Sequence, residues 1–370
     1  MPRIPLLDFY VEKFGAETGH FADWEVPMRF TSSIEEHMAV RNSAGVFDVS
    51  HMGRLVLRGS DVIEFIQRVY TRDLSRVKDM YMSGPALILT EHARVRDDEM
   101  LYRINENEWL VVVNAPARIK ILSLFEQLIK SWRLEVKIED LTEKYAMIAL
   151  QGPQSPELME KLGANWAVDL KPLEFGLNVT ISDIPVYLVS RSGWTGEDGY
   201  EIWADPPNIQ KLFSKLVELG AKPCGIIARD SLRLEMGYVL YGNEYGEDPV
   251  KYPCAVSLRY GMGAITWSKH GFIGEEALRA CRREGVRWVR LGIKMAKRAG
   301  RVIPRSGDKV YVEDILVGWV TSGGFSPILS RGIAQAYIDT RYAIIGEEVE
   351  VEIRGKKYPA KIVDFPFILK

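Results

Sequence analysis

The stretch KVYVEDILVGWVTSG, residues 309–323, decides how the chain is divided. β-Branched and aromatic residues alternate with polar ones on either side of Glu313-Asp314, which predicts two short strands joined by a turn. The same texture recurs outward from it, in WVRLGIK (288–294), GIAQAYI (332–338), EVEVEIRG (348–355) and KYPAKIVDF (357–365), with Gly, Asp and Pro between the runs. Short strands at this spacing predict an all-β sandwich or barrel of roughly 85 residues.

Toward the N-terminus the pattern turns mixed. Helices are expected over Ile34–Asn42 with Gly45 as the stop, after Ser60-Asp61, from Pro116 with Ile119, Leu122 and Ile129 inward, from Pro156 to Gly163, over Ile209–Leu219 and over Ala228–Met236. Between them RLVLRG (54–59) alternates as a half-buried strand, and EWLVVVNA (108–115), YAMIALQG (145–152) and PVYLVSR (185–191) read as strands. The sum is an α+β body of roughly 280 residues followed by the β domain.

Composition bounds the class. The 370 residues are 47% hydrophobic and 26% charged with a formal net charge of -2, as in soluble globular proteins. The balance gives no electrostatic case for nucleic acid or an anionic membrane as partner. No apolar run approaches the ~18 residues of a membrane span, and the N-terminus lacks a signal-peptide core. Cys224, Cys254 and Cys281 lie far apart and cannot all pair, which favours a reducing cytosol and a cytoplasmic protein. Phosphate-binding glycine loops, His-Glu-x-x-His and Gly-x-Ser-x-Gly are absent, and the five histidines show no metal-ligand spacing. Cys224, between Pro223 and Gly225, reads as a small buried hydrophobe.

Four segments gather polar groups beyond a scaffold's needs. In Asp97-Asp98 the two carboxylates alternate faces of a strand, so one at most meets a given pocket. RSGWTGEDGYE (191–201) packs three glycines into seven residues before Glu201 re-enters a strand, implying positive φ or close backbone approach. A carboxylate there suits a flat heterocycle offering a ring N–H beside an amino group. In ARDSLRLE (228–235), Arg229 and Arg233 share a helix face and Asp230 lies three residues from Arg233. Asn114 ends a strand, where it either orients a ligand or caps the turn at Pro116. Singly these are also a solvated edge, a hairpin, an intrahelical ion pair and a cap.

Taken in order, these segments resemble the glycine cleavage system T-protein family of tetrahydrofolate-dependent aminomethyltransferases. The resemblance also rests on FADWEVP (21–27), FDVSHMG (47–53), LQGP (150–153), PCG (223–225), LYG (240–242), FIG (272–274), Thr321-Ser322 with FSP (325–327), and Pro366-Phe367. It implies an α+β three-domain cloverleaf: residues 1–54 with 146–280 as a split ferredoxin-like, folate-binding body, 55–145 as an antiparallel-sheet α+β domain, and 281–370 as a C-terminal β-barrel-like domain, with the folate in a central channel. It implies a cytoplasmic enzyme of glycine catabolism that moves a one-carbon unit from an aminomethyl-lipoyl H-protein to tetrahydrofolate and releases ammonia. By position Asp98 matches the catalytic aspartate, Glu201 the carboxylate that holds the pterin, Asn114 a folate-contacting amide and Arg229 a folate-site arginine. Trp194 stands where a stacking tyrosine is usual.

The chain departs from the family pattern at Pro85 (usually tyrosine), Ala93-Arg94 (usually Gly-Gly), Trp194, and a C-terminus ending Pro366-Phe-Ile-Leu-Lys370. Pro85, Arg94 and Trp194 favour as alternative another tetrahydrofolate-dependent methyl or one-carbon transferase with a small-molecule donor; a further alternative is a folate-binding protein without activity.

Overall fold

A computed structural model describes residues 2–369, and the chain is a mixed α+β protein. It divides into two compact units. One runs to Ala86 and resumes over Asp98–Arg229; the other comprises the hairpin Leu87–Asp97 and the chain from Asp230 onward.

The first unit holds a six-stranded sheet in the order Phe175–Ile181, Ile184–Ser190, Gly199–Ala204, Ala146–Gln151, Gly45–Asp48 and Lys222–Cys224. All neighbours are antiparallel except the last pair. Helix Pro206–Glu218 buries Ile209, Leu212, Phe213 and Leu216, the i, i+3, i+4, i+7 stripe of an amphipathic helix. It starts three residues before the apolar periodicity does, because Asp205 caps it by accepting from the Asn208 N–H at 2.9 Å. Helix Ser33–Asn42 ends at Ser43 rather than at Gly45. Gly45 opens a strand instead, and a β-carbon there would press on Val40 and Cys224.

A second sheet places Glu108–Val113 beside Val95–Asn105 on one edge and Gly53–Arg58 on the other, with Lys137–Asp140 beyond. Strand Gly53–Arg58 was expected to be half-buried, yet its first five residues are all buried. Even Arg54 is enclosed, since its Nη2 donates to the carbonyls of Ser50, Thr142 and Tyr145, and burial lowers the guanidinium pKa to about 10. Helix Arg118–Trp132 buries Ile121 and Phe125, while Ile119 is 64% exposed. The inward face read from Ile119 is therefore corrected. Phe125 meets Phe65 edge-on at 5.2 Å, and enclosing the larger aromatic surface sets the helix's rotation.

In the second unit, Trp288–Met295, Arg331–Asp339, Ile315–Ser326, Lys309–Val312, Glu348–Ile353 and Lys356–Val363 form a closed barrel in that order. Closure leaves no unpaired edge. In Glu348–Ile353 the valines and Ile353 turn inward and the glutamates outward, the period-two pattern legible in the sequence.

Candidate functional site

Strand Val95–Asn105 alternates: Asp97 is fully buried, Asp98 half-buried, Glu99 buried again. The adjacent carboxylates thus separate to opposite faces, as the pleat requires. Met100 pairs with Val112 across the sheet, and continuing that register sets Asp98 opposite Asn114. The Asn114 amide, Nδ2, donates to the Asp98 carbonyl at 3.1 Å and to its carboxylate Oδ1 at 2.9 Å. Asn114 also precedes the single turn Ala115–Ala117, whose Ala117 N–H bonds its carbonyl at 2.9 Å. It holds the N-cap position of that turn, yet its side chain makes no capping bond there and clamps the aspartate.

Tyr102 lies on the same face as Asp98, four residues and about 13 Å along the strand. Its hydroxyl donates to Glu201 Oε2 at 3.5 Å. Ser192 Oγ donates to the same oxygen at 2.8 Å. Oε1 of Glu201 has no hydrogen bond among the described residues. Burial, with Glu201 close by, pushes the Tyr102 phenol well above its ordinary value, so it stays a donor.

The loop before Glu201 is tied from several sides. Arg41 Nη1 donates to the Thr195 carbonyl and to Glu197 Oε1, each at 2.8 Å. Arg191 grips Asp198 with two parallel bonds of 3.0 and 2.6 Å. Gln151 donates to the Ser192 carbonyl at 3.0 Å and accepts from Thr195 Oγ1 at 2.8 Å. Side chains at Gly193 or Gly199 would strike Gln151, and Gly196 has φ 76. Close approach and left-handed backbone, the two reasons expected for this glycine cluster, both operate. Trp194 sits on this loop, half-buried.

Arg229 is half-buried on helix Ile226–Glu235, and its buried Nη1 has no hydrogen-bond partner among the described residues. Burial lowers its pKa, and the nearby Glu201 charge opposes that shift. Burial, then the charges of Arg229 and Arg54, hold His51 neutral with a pKa of about 3. Its Nδ1 is likewise unpartnered among the described residues. Sequence reasoning passed over Tyr102, Ser192 and His51. Tyr102 was detectable from its period-two spacing to Asp98; Ser192 and His51 carried no comparable signal.

In the other unit, Arg233 pairs with Asp230 at 2.7 Å, the expected intrahelical bridge, and with the buried Glu244 at 3.3 Å. Ala93 occupies a turn with φ 55, where the usual glycine would be unstrained. Arg94 Nη1 donates to the His92 carbonyl at 3.2 Å. Cys224 is free and buried as expected, whereas Cys254 and Cys281 are joined in a disulfide that the reducing-compartment reading did not foresee. Lys370 lies outside the described residues.

Residues 7–258 match the family model of the GCVT N-terminal domain, and residues 289–368 that of the glycine cleavage T-protein C-terminal barrel domain. The chain is 54% identical over 366 residues to the probable aminomethyltransferase of Aeropyrum pernix, covering 99% of this chain and 98% of the relative. It is 38% identical over 376 residues to the aminomethyltransferase of Caldanaerobacter subterraneus, covering 100% and 96%. Among solved structures, the glycine cleavage system aminomethyltransferase T of Bartonella henselae superposes with a TM-score of 0.86 at 29% identity, over 99% of this chain and 98% of that one.

Proposed function

The chain belongs to the glycine cleavage T-protein family and is an aminomethyltransferase, and from that premise we propose that its acceptor is tetrahydrofolate, its donor an aminomethyl-lipoyl H-protein, and its working groups Asp98, Asn114, Glu201, Arg229 and Trp194. One observation carries the reading: a half-buried carboxylate, clamped by an amide, shares a strand face with the tyrosine that touches a second carboxylate. The residues fit a reduced pterin. Glu201 offers acceptor oxygen to an amino group and ring N–H, and the unpartnered Arg229 Nη1 offers a buried donor to a ring carbonyl. Trp194 supplies a flat apolar face for a stacking contact.

Tetrahydrofolate, when bound, supplies the amine nitrogen that takes up the one-carbon unit. Asp98 then has two tasks: to stabilise positive charge on the transferred carbon and to relay the proton that the attacking amine gives up. Asn114 aims the Asp98 carboxylate by donating to one of its oxygens. His51, neutral at physiological pH, adds no competing charge beside Arg229. Cytoplasmic placement belongs to the same proposal. Among the described residues no helix is long and apolar enough to cross a membrane. The Cys254–Cys281 disulfide fits an intracellular enzyme only where cytosolic disulfides persist, as in hyperthermophiles.

The test is methylene-tetrahydrofolate formation from aminomethylated H-protein and tetrahydrofolate. Asp98→Asn is expected to lower the turnover roughly 100-fold or more while tetrahydrofolate still binds. Unchanged turnover removes Asp98 from the chemistry, and absence of tetrahydrofolate binding to the wild type removes the acceptor.

A further inference from the structure

The hydroxyls around Glu201 form a chain with a fixed direction. Ser192 Oγ donates to Glu201 Oε2 at 2.8 Å, and Ser190 Oγ lies 2.8 Å from Ser192 Oγ. A serine has one proton to give, and an ionised carboxylate only accepts. The Ser192 proton is therefore committed to Glu201, and Ser190 must donate to Ser192. Ser190 is fully buried and sits opposite Glu201 in the sheet register, so its hydroxyl is enclosed with the carboxylate it serves indirectly. Tyr102, from a different sheet of the same unit, donates to the same Oε2 at 3.5 Å. Two hydroxyl donors converge on one oxygen, while Oε1 has no hydrogen bond among the described residues.

We propose that Ser192, backed by Ser190, is a positioning and specificity-determining residue: it fixes the Glu201 carboxylate as an acceptor, so that the site takes a heterocycle presenting N–H donors and rejects one presenting a carbonyl at the same place. This rests on Glu201 as the group that holds the pterin. With Oε2 anchored by hydroxyl protons, the carboxylate cannot swing away from a mismatched ligand. A ring carrying oxygen where the 2-amino group belongs then faces carboxylate oxygen with no proton between them, and two desolvated acceptors repel. Without Ser192 the carboxylate can rotate and admit water, and the mismatch becomes tolerable. The alternative role, tying the loop at residues 191–198, is already met by backbone and side-chain bonds that do not involve the Ser192 hydroxyl: Gln151 to the Ser192 carbonyl, Arg41 to Thr195, and Arg191 to Asp198.

Calorimetric titration of the full-length protein with tetrahydrofolate and with its 2-oxo (2-deamino) analogue measures the discrimination directly. The wild type is expected to prefer tetrahydrofolate by roughly 100-fold or more. Ser192→Ala should weaken tetrahydrofolate about 10-fold and narrow the preference by a similar factor, with turnover at saturation unchanged and KM raised. Ser192→Thr, which keeps a hydroxyl, should restore both. A Ser192→Ala protein with wild-type affinity and preference overturns the proposal. Glu201→Gln separates the two levels: wild-type affinity in that variant overturns the pterin reading itself, whereas weakened binding there with an unaffected Ser192→Ala overturns only the role of the serine.

Discussion

At the residue scale, the carboxylates of the proposed site draw notice in the sequence and their partners do not. Asp98 and Glu201 stand out in sequence because a strand carboxylate beside a second carboxylate, or after a glycine turn, needs a reason. Tyr102 and Ser192 are ordinary strand and turn residues until the backbone brings them to Glu201 at 3.5 and 2.8 Å. The Asn114 side chain does not cap the turn at Pro116, and its amide holds Asp98. Asn114→Ala is thus expected to lower turnover roughly 10- to 100-fold by removing the amide bond that aims the Asp98 carboxylate, with far-ultraviolet circular dichroism unchanged; turnover at the wild-type level would mean that Asp98 does not need this amide. His51 gives a prediction in pH. Its folded pKa, about 3, lies below the ordinary 6.5. Between those values the unfolded chain binds a proton that the folded protein refuses. The stability held above pH 6.5 is therefore lost as pH falls toward 3. Urea unfolding of the wild type should fall more steeply from pH 6.5 to 4 than that of His51→Gln, by on the order of 1 kcal/mol per pH unit. Parallel slopes would show that His51 does not titrate in this way.

At the element scale, sequence periodicity found the barrel strands and most helices of the body, but it missed strands such as Gly45–Asp48 and Phe175–Ile181 and helices such as Leu7–Phe14 and Glu275–Glu284, and it misjudged faces. RLVLRG alternates as a half-exposed strand should, yet Arg54 is enclosed, with its Nη2 donating to three backbone carbonyls. Helix Arg118–Trp132 carries apolar residues on more than one side, so its buried face is set by the partner Phe65 and not by its own pattern. The disulfide was hidden for a similar reason. Twenty-seven residues separate Cys254 from Cys281, and only the fold brings the turn at Ala255–Leu258 to helix Glu275–Glu284. Closing a loop of that length removes enough unfolded-chain entropy to contribute about 3.5 kcal/mol. Cys281→Ser, or a strong reductant added to the wild type, should therefore lower Tm by several degrees in differential scanning calorimetry. Reductant should then have no further effect on the variant. A wild type indifferent to reductant would show that the bridge stabilises nothing.

At the scale of the whole molecule, the barrel was legible because its strands depend mostly on local alternation and turns. The body was harder to read, since Gly45–Asp48 pairs with strands about 100 and 175 residues away, and periodicity alone cannot say which strands become neighbours. The groups of the proposed site are also far apart in sequence: Asp98, Tyr102, Asn114, Ser192, Glu201 and Arg229 come from four separate strands or loops and a helix of one compact unit. A ligand held by groups so distant in sequence binds the folded chain and not the unfolded one, so it must stabilise the fold by mass action. Tetrahydrofolate at 100 times its Kd should add about 2.7 kcal/mol and raise Tm by roughly 5–10 °C. The variants divide the site by task. Asp98→Asn should keep most of that rise, because the proposed role of the aspartate is to manage charge and protons during transfer. Glu201→Ala should lose most of it, because the glutamate holds the ring. If the two variants respond in the opposite order, the division of labour between the carboxylates is reversed; if the wild type shows no rise, the folate reading of the unit fails while its membership of the aminomethyltransferase family stands on the full-length match.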